Sequence, residues 1–437
     1  MKFRKPGQIL LAVAASALVG LGLTSCGQSN TIDFLYITAN KNTPQGQIGV
    51  YWVDQESGAI NAIPDSPYPS GGENPVAEVA SPLISTSQSS GKAVAMLYVV
   101  NHDDNAIVQF AIGTDAKLYP QKTCNTPGTN PEAIAMNAAG TELFVVDTYA
   151  PAPTGSAPYS QTNPGPGALV AYSLDKTTHA FTSCTPIANG NQSYWQLGNY
   201  PGGVAVSANG SYVYAVNTGS IVTTTTPPTA GVPLVSPSPG GGSISGFQIN
   251  SDGSLSELSG SPFSAGTAPT AVAIDPTSRF LYVTDSAQNQ VIEYGILSSG
   301  QLNPINQGLA STGNFPNGIT VDPRGQFVYV TNYTDGTISS YNINSASGIL
   351  TSNATPTLKA GPGALCPIVE PALARFVFTA NFLQNKVSSA EMNTVSGSLT
   401  TDQNSPYNSP AQPTCAAAIA HGNHSTQNVI VAPAGNS

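Results

Sequence analysis

Charged side chains are scarce in this sequence. Lys, Arg, Asp and Glu make up 8% of its 437 residues, whereas soluble domains contain about 25%. A solvated helix surface is built largely from Lys, Glu and Arg, and the 43 Gly and 36 Pro residues of this chain break helices. The composition therefore excludes a mainly helical protein. Hydrophobic residues still reach 40%, which is enough for a core and excludes the disordered class.

Basic residues are the scarcer of the two charges. The chain has 13 Lys and Arg against 23 Asp and Glu, which gives a formal net charge of −10. Proteins that bind nucleic acid neutralise phosphates with clustered Lys and Arg. We therefore expect no nucleic-acid partner.

The N-terminus carries an export signal. Lys2, Arg4 and Lys5 precede the apolar segment Ile9–Leu23. About 15 apolar residues are too few for a typical membrane-spanning helix and are typical of a secretory signal. The segment ends in Leu23–Cys26, Leu-Thr-Ser-Cys, which resembles a bacterial lipobox.

That resemblance implies cleavage before Cys26 and a lipid on its thiol. We therefore predict a signal peptide over 1–25, a lipidated Cys26 with a short linker over 26–33, and a single folded domain over 34–437. Gly27 after the cysteine favours the outer membrane of a bacterial cell envelope. The lipid is then the only membrane contact. The alternative is a plain signal peptide with an incidental Cys26.

One pattern recurs along the rest of the chain: an alternating apolar strand that ends in Asn or Asp. Its copies are Phe34–Asn40, Met96–Asn101, Glu142–Asp147, Tyr212–Asn217, Phe280–Asp285, Phe327–Asn332 and Phe376–Asn381. A strand that usually opens with Pro precedes each copy, and two shorter strands follow it. We name these strands A to D in chain order. Four short antiparallel strands repeated seven times predict an all-β, seven-bladed β-propeller.

Strand order predicts how the ring closes. The chain begins at a B strand, and its last A strand is Pro413–Ile419. The C-terminal inner strand is therefore expected to complete the N-terminal blade. Asn428–Ala432 resembles a further B strand that competes with Phe34–Asn40, which leaves a different closure open.

The third residue of every A strand is small, and this register predicts a disulfide. The residues are Ala77, Ala133, Gly203, Ala271, Gly318, Cys366 and Cys415. Cys366 and Cys415 occupy the same place in adjacent inner strands, and exported proteins retain disulfides. Pairing them leaves Cys124 with Cys184. The alternative is four free thiols.

Three long connections surround the third and fourth blades. They are about 148–167, 184–200 and 218–242, the last rich in Thr and Pro. B–C and D–A loops emerge on one face of a propeller, so we interpret these connections as a rim. Surface padding is an equally good interpretation of the Thr/Pro tract. The predicted ligand-binding residues are Tyr149, Tyr194, Trp195, Tyr200 and, at the start of an A strand, Asn317.

The strongest polar cluster is Asn101–Asn105, a B–C loop on the same face. His102 is the candidate general base, with Asp103 beside it and Glu132 on the following inner strand. Asp103 and Asp104 are alternatively a weak candidate for a divalent cation. An ordinary polar turn is the simplest interpretation, and we expect no cofactor and no metal site.

Tyr329–Asn332, Tyr-Val-Thr-Asn, and its surroundings resemble the propeller repeats named for that tetrapeptide. The wider pattern covers nearly all of the mature chain and resembles the seven-bladed lactonase family that includes 6-phosphogluconolactonase. The resemblance implies a propeller fold and hydrolysis of a lactone.

This sequence departs from the family where the substrate is expected. The resemblance implies His or Arg just after the opening Pro of some A strands. The corresponding residues here are Val76, Glu132, Gly202, Thr270, Asn317, Leu365 and Thr414. Arg279, Arg324 and Arg375 lie in A–B turns, on the opposite face. We therefore expect a neutral lactone as substrate. The alternative is a non-catalytic envelope protein that binds glycan or protein through the loops of blades 3 and 4. A monomer is expected in either case.

Overall fold

The computed structural model describes residues 30–40, 45–84, 93–219 and 241–421. These residues form strands, turns and bends. No helix among them could cross a membrane.

The strands form seven antiparallel sheets, one per blade. Blade 1 begins with β1 (Thr31–Ala39), β2 (Gln47–Asp54), β3 (Ile60–Ala62) and β4 (Tyr68–Pro69). Blade 2 contains β5 (Pro75–Ala80), β6 (Ala93–Asn101), β7 (Ala106–Gly113) and β8 (Leu118–Asn125). Blade 3 contains β9 (Thr129–Met136), β10 (Glu142–Tyr149), β11 (Pro166–Ser173) and β12 (Trp195–Asn199). Blade 4 contains β13 (Pro201–Val206), β14 (Tyr212–Asn217), β15 (Ser243–Ile249), β16 (Leu255–Glu257) and β17 (Phe263–Ser264).

The remaining blades repeat this order. Blade 5 contains β18 (Pro269–Ile274), β19 (Phe280–Asp285), β20 (Gln290–Ile296) and β21 (Leu302–Ser311). Blade 6 contains β22 (Pro316–Val321), β23 (Phe327–Asn332), β24 (Thr337–Ile343) and β25 (Leu350–Lys359). Blade 7 contains β26 (Ala364–Val369), β27 (Phe376–Asn381), β28 (Lys386–Met392), β29 (Leu399–Thr401) and β30 (Tyr407–Asn408). The last strand is β31 (Pro413–Ala420). The predicted seven-bladed, all-β fold is confirmed.

Ring closure also follows the prediction. Strand β31 pairs antiparallel with β1, with Thr38 opposite Cys415, and so supplies the inner strand of blade 1. The Thr414 hydroxyl lies 3.0 Å from that of Thr38. Each inner strand also contacts the inner strands of its two neighbours. The described residues do not include the predicted signal peptide, Cys26, positions 220–240 of the Thr/Pro tract or the predicted strand Asn428–Ala432.

In five of the seven blades, the B strand carries a tyrosine that ties the blade to the next. Tyr36, Tyr98, Tyr214, Tyr282 and Tyr329 are fully buried. Each hydroxyl donates a hydrogen bond to a backbone carbonyl of the following blade, the acceptors being Ala116, His179, Gly300, Gly348 and Gly397. Buried hydroxyls need such partners, so the repeated Tyr fixes both the packing between blades and its register.

Both predicted disulfides are present. Cys366 in β26 bonds to Cys415 in β31, with Cα atoms 5.0 Å apart. Cys124 in β8 bonds to Cys184 of blade 3, with Cα atoms 5.1 Å apart. The first links the blades on either side of the closure, and the second links blades 2 and 3.

Candidate functional site

A cavity of about 210 Å³ lies on the axis of the ring, lined by all seven inner strands. Two rings of residues line it, separated by a level of Ala and Gly residues and the Cys366–Cys415 disulfide. The first ring is the residue after each strand opening: Val76, Glu132, Gly202, Thr270, Asn317, Leu365 and Thr414. The second ring, two residues further along, includes Glu78, Ile134, Val204, Val272, Ile319 and Pro367. No lysine or arginine is among these lining residues.

Two threonines of the first ring serve the fold. The Thr414 hydroxyl donates to the carbonyl of Pro75, and that of Thr270 donates to the carbonyl of Pro316, both at 2.8 Å. Each bond joins one inner strand to the next. The side chains left for chemistry in this ring are therefore chiefly Glu132 and Asn317.

His102 stands beside the first ring. It directly follows β6, whose last residue, Asn101, is buried and accepts a hydrogen bond from the Ser70 hydroxyl. The backbone N–H of His102 donates to the carbonyl of Asn74 at 2.9 Å. Nε2 of its imidazole lies 3.8 Å from Oε2 of Glu132. The two side chains are 22% and 18% exposed, so both are reachable from solvent. The structure thus brings together the predicted pair.

Asp103 binds the other nitrogen of the His102 imidazole. Its Oδ1 lies 2.6 Å from Nδ1 of His102 and also accepts a bond from Asn74 Nδ2 at 3.3 Å. A carboxylate at one imidazole nitrogen fixes the tautomer and orientation, and leaves the other nitrogen for the reacting group. All three predicted catalytic residues therefore form one connected group.

Two asparagines that the sequence interpretation missed support this group. Asn130 Nδ2 lies 3.4 Å from Nδ1 of His102, and its backbone N–H donates to Asn105 Oδ1 at 2.7 Å. Asn74 and Asn130 both precede an inner-strand proline and have φ of 56°. Asn tolerates this left-handed conformation better than most residues. Asn before the opening proline is the signal that could have identified them.

Burial and neighbouring charges shift the pKa values of His102, Glu132 and Asp103. Burial lowers the pKa of His102, but the hydrogen bond to Asp103 and the charges of Glu132 and Asp103 outweigh it, so the net pKa is raised. Burial raises the pKa of Glu132, opposed by the charge of His102. The hydrogen bond from His102 lowers the pKa of Asp103. Both shifts run in the same direction, so His102 holds its proton more firmly, and the Glu132 carboxylate is a stronger base, than the same groups in water.

The acidic residues of this loop are engaged in hydrogen bonds. Besides the contacts of Asp103, Asp104 Oδ2 accepts the N–H of Glu73 at 2.6 Å. Within the described part of the chain, no group of three or more His, Cys, Asp or Glu side chains could hold a metal ion.

The aromatic side chains that were predicted to form a ligand-binding surface are packed inside the propeller. Trp195 was expected in a loop, and this is wrong: it opens β12, the outer strand of blade 3, paired with Leu169. Trp195 is 5% exposed, and its indole N–H donates to the carbonyl of Leu255 in blade 4. An apolar side chain with one donor gains most by filling the space between blades.

The three tyrosines of that surface also pack against protein. Tyr149 and Tyr200 are buried, with ring centroids 5.8 Å apart in an edge-to-face arrangement. Tyr194 packs on the core between blades 2 and 3. Asn317, by contrast, lines the cavity.

The three described arginines lie where predicted, in A–B turns away from the His102 side of the ring. Each reaches the next blade: Arg279 donates to the carbonyl of Ser345, Arg324 to that of Ala374, and Arg375 to that of Gln55. They connect blades rather than serve the cavity.

Comparison with known proteins agrees with this architecture. The sequence matches the family model described as Lactonase, 7-bladed beta-propeller, over residues 167–307 and 221–364. The matched residues make up less than half of the chain, which is similar to this family over that part. No curated protein sequence matches it significantly.

Solved structures share the fold of this propeller. A periplasmic gluconolactonase from Pseudomonas aeruginosa is 15% identical, with a TM-score of 0.65 over 90% of this chain and 100% of its own. A putative 6-phosphogluconolactonase from Bacteroides uniformis is 17% identical, with a TM-score of 0.63 over 90% and 100%. Another from Bacteroides fragilis is 16% identical, with a TM-score of 0.62 over 90% and 99%.

Proposed function

We propose that this chain is an exported, lipid-anchored envelope protein that hydrolyses a neutral lactone at the mouth of its central cavity. The observation that carries the proposal is the His102–Glu132 pair, which joins an acid and a base at the edge of a solvent-accessible cavity. The family match supports the reaction class.

The chemistry assigns one role to each side chain. The Glu132 carboxylate removes a proton from water while the water oxygen bonds to the lactone carbonyl carbon. The His102 imidazolium donates a hydrogen bond to the carbonyl oxygen, which becomes the oxyanion. Collapse of the tetrahedral intermediate breaks the ring C–O bond, and the leaving alkoxide takes the proton from Glu132. The product is the hydroxy acid, and Asp103 positions His102 throughout.

The charges around the cavity favour an uncharged substrate. Carboxyl groups of Glu78 and Glu132 line it, and Lys and Arg are absent from the described lining. An anionic sugar phosphate would meet repulsion without a compensating guanidinium or ammonium group. The substrate class therefore differs from that named for the 6-phosphogluconolactonase neighbours.

A lactone panel tests the activity. Residues 27–437 are assayed by pH-stat against uncharged γ- and δ-lactones, with 6-phosphogluconolactone as the charged comparison. We expect hydrolysis of uncharged lactones above the spontaneous rate, and a loss of about 100-fold or more in Glu132→Gln and His102→Asn. Glu142→Gln and His421→Gln, at the A–B turn end of the blades, serve as matched controls. Absence of hydrolysis, or full activity of Glu132→Gln, contradicts the proposal and favours the non-catalytic alternative.

The anchor has a separate test. Wild-type protein expressed in a bacterium with a lipoprotein pathway should incorporate a radiolabelled fatty acid and fractionate with the outer membrane. Cys26→Ser should lose both properties. Retention of label in that variant contradicts lipidation at Cys26.

A further inference from the structure

Glu78 is an anomaly in the inner wall of the propeller. It occupies the second ring of the cavity, where the corresponding residues of the other blades are apolar: Ile134, Val204, Val272, Ile319, Pro367 and Ala416. Placing a carboxyl group in an apolar environment is costly unless a partner compensates for it. The fold alone gives no reason for a glutamate here.

Only one of the two carboxyl oxygens of Glu78 has a hydrogen-bond partner within the protein. Glu78 is 6% exposed, and its Oε1 accepts the N–H of Thr38 at 3.1 Å. Its Oε2 is buried with no hydrogen-bond partner, although the residue lines the cavity. An unpaired buried carboxyl oxygen beside a cavity is an acceptor available to a ligand.

The position of Glu78 along β5 determines how deep into the cavity the ligand must extend. Glu78 stands two residues further along its strand than the first-ring residues, of which Glu132 is one. Strands rise roughly 3.3 Å per residue. A group bound to Glu78 therefore lies roughly 6–7 Å deeper than the reacting carbonyl. Between the two levels the wall consists of Ala and Gly residues and the Cys366–Cys415 disulfide, which accommodate a short apolar chain.

We propose that Glu78 is a specificity residue that binds a primary ammonium group carried on a short alkyl substituent of the lactone. The substrate enters with its lactone ring at His102 and Glu132 and its amine towards the axis. This inference rests on the proposed hydrolysis for its substrate class, but the amine site itself is defined by binding.

Ionisation of Glu78 couples to that binding. Burial raises the pKa of Glu78 to about 8, partly opposed by the Thr38 N–H. The titratable groups on the strands that contact β5 are Asp33 and Tyr36 of β1, Tyr98 of β6 and Glu132 of β9. The pKa of Tyr36 is itself raised well above its usual value, mainly by burial and next by the charge of Glu78. Since an ammonium ion stabilises the carboxylate, binding near pH 7 should release a proton, and affinity should rise as pH increases from 6 to 8.

The experiment separates binding from hydrolysis by using lactams, which resist hydrolysis. A δ-lactam with a 3-aminopropyl substituent and its n-butyl isostere are titrated into the mature protein by calorimetry in buffers of different ionisation enthalpy. We expect the amine to bind at least 10-fold more tightly than the isostere, with proton release. Glu78→Gln should remove both the selectivity and the proton release, whereas Glu132→Gln should retain them. Circular dichroism checks that the variants are folded.

The outcomes are distinct for the two proposals. Amine selectivity without hydrolysis of the matching lactones upholds the Glu78 site and overturns the proposed activity. Hydrolysis with equal binding of amine and isostere upholds the activity and overturns the Glu78 site. If Glu78→Gln does not fold, the wild-type measurement still decides, because equal affinities and no proton release overturn the inference.

Discussion

Asp103 Oδ1 lies 2.6 Å from Nδ1 of His102, on the side of the imidazole that faces away from Glu132. This hydrogen bond orients the ring and, with the two carboxylate charges, keeps the pKa of His102 above its usual value against the effect of burial. Asp103 is therefore a positioning residue whose effect should be visible in the pH dependence of the reaction.

Hydrolysis should have a bell-shaped pH profile. The acid limb reflects ionisation of Glu132, whose pKa is raised, and the alkaline limb reflects loss of the His102 proton. Asp103→Asn should move the alkaline limb to lower pH, because the neighbouring negative charge is removed. Glu73→Gln, which removes an exposed carboxylate nearby, is the control. An unchanged alkaline limb in Asp103→Asn contradicts the assigned role.

Stability should decrease as pH rises from 5 to 9. Burial raises the pKa of Asp402 to about 6, of Asp147 and Glu293 to about 7, and of Glu78 to about 8. A carboxyl group with a raised folded-state pKa contributes stability that is complete below its unfolded pKa and is lost as pH passes the folded value. Urea unfolding across this range measures the trend, and a flat profile contradicts it.

Asp147→Asn tests one of these groups alone. Asp147 Oδ1 is buried without a hydrogen-bond partner, and four other B strands end in asparagine, at Asn101, Asn217, Asn332 and Asn381. The substitution should therefore stabilise the fold at pH 8 by roughly 1–3 kcal/mol, in the range of a removed buried charge, and matter little at pH 5. Exposed Asp175→Asn is the comparison. A loss of stability at pH 8 argues against a buried carboxylate penalty.

Removal of the closure disulfide should be costly. Replacing Cys366 and Cys415 with serine should lower the free energy of unfolding by roughly 2–4 kcal/mol, because their bond links the last blade to the strand that completes the first. The Cys124–Cys184 pair spans a similar length of chain and provides the matched double variant. Thiol titration of the unfolded, unreduced protein should detect none of these four cysteines; four free thiols contradict both bonds.

Each buried tyrosine hydroxyl should contribute to the stability of the fold. Tyr282→Phe removes the donor to the Gly348 carbonyl and should destabilise by about 1 kcal/mol. Tyr212→Phe, whose hydroxyl donates to Ser298 at an exposed site, should cost less. The phenylalanines Phe144 and Phe378 stand at this position in blades 3 and 7, so the variant is expected to fold. Equal losses in both variants contradict the importance of burial.

The repeat made most of the fold predictable. B strands such as Phe280–Asp285 and Phe327–Asn332 were placed to the residue, because alternation, aromatic content and the terminal Asn or Asp recur together. The outer strand Trp195–Asn199 was missed because outer strands carry little of the repeat. Its partner, Leu169, is brought near only by the completed sheet.

The site was predictable only where polarity stood out in a loop. His102 and Asp103 were recognised as a cluster, and Glu132 as a neighbour on the next inner strand. Glu78 was not recognised, although it interrupts an apolar register shared by six other strands, because its significance depends on burial and on an unpaired oxygen. These are properties of the assembled ring.

The pairing of β1 with β31 also sets an order on folding. Blades 2 to 7 each consist of strands that are neighbours in the sequence and can form while the chain is still being synthesised. Blade 1 must wait for the last described strand, so its edge remains open until that strand is made. Unpaired strand edges attract other chains, and this interval is when the protein is most prone to aggregation.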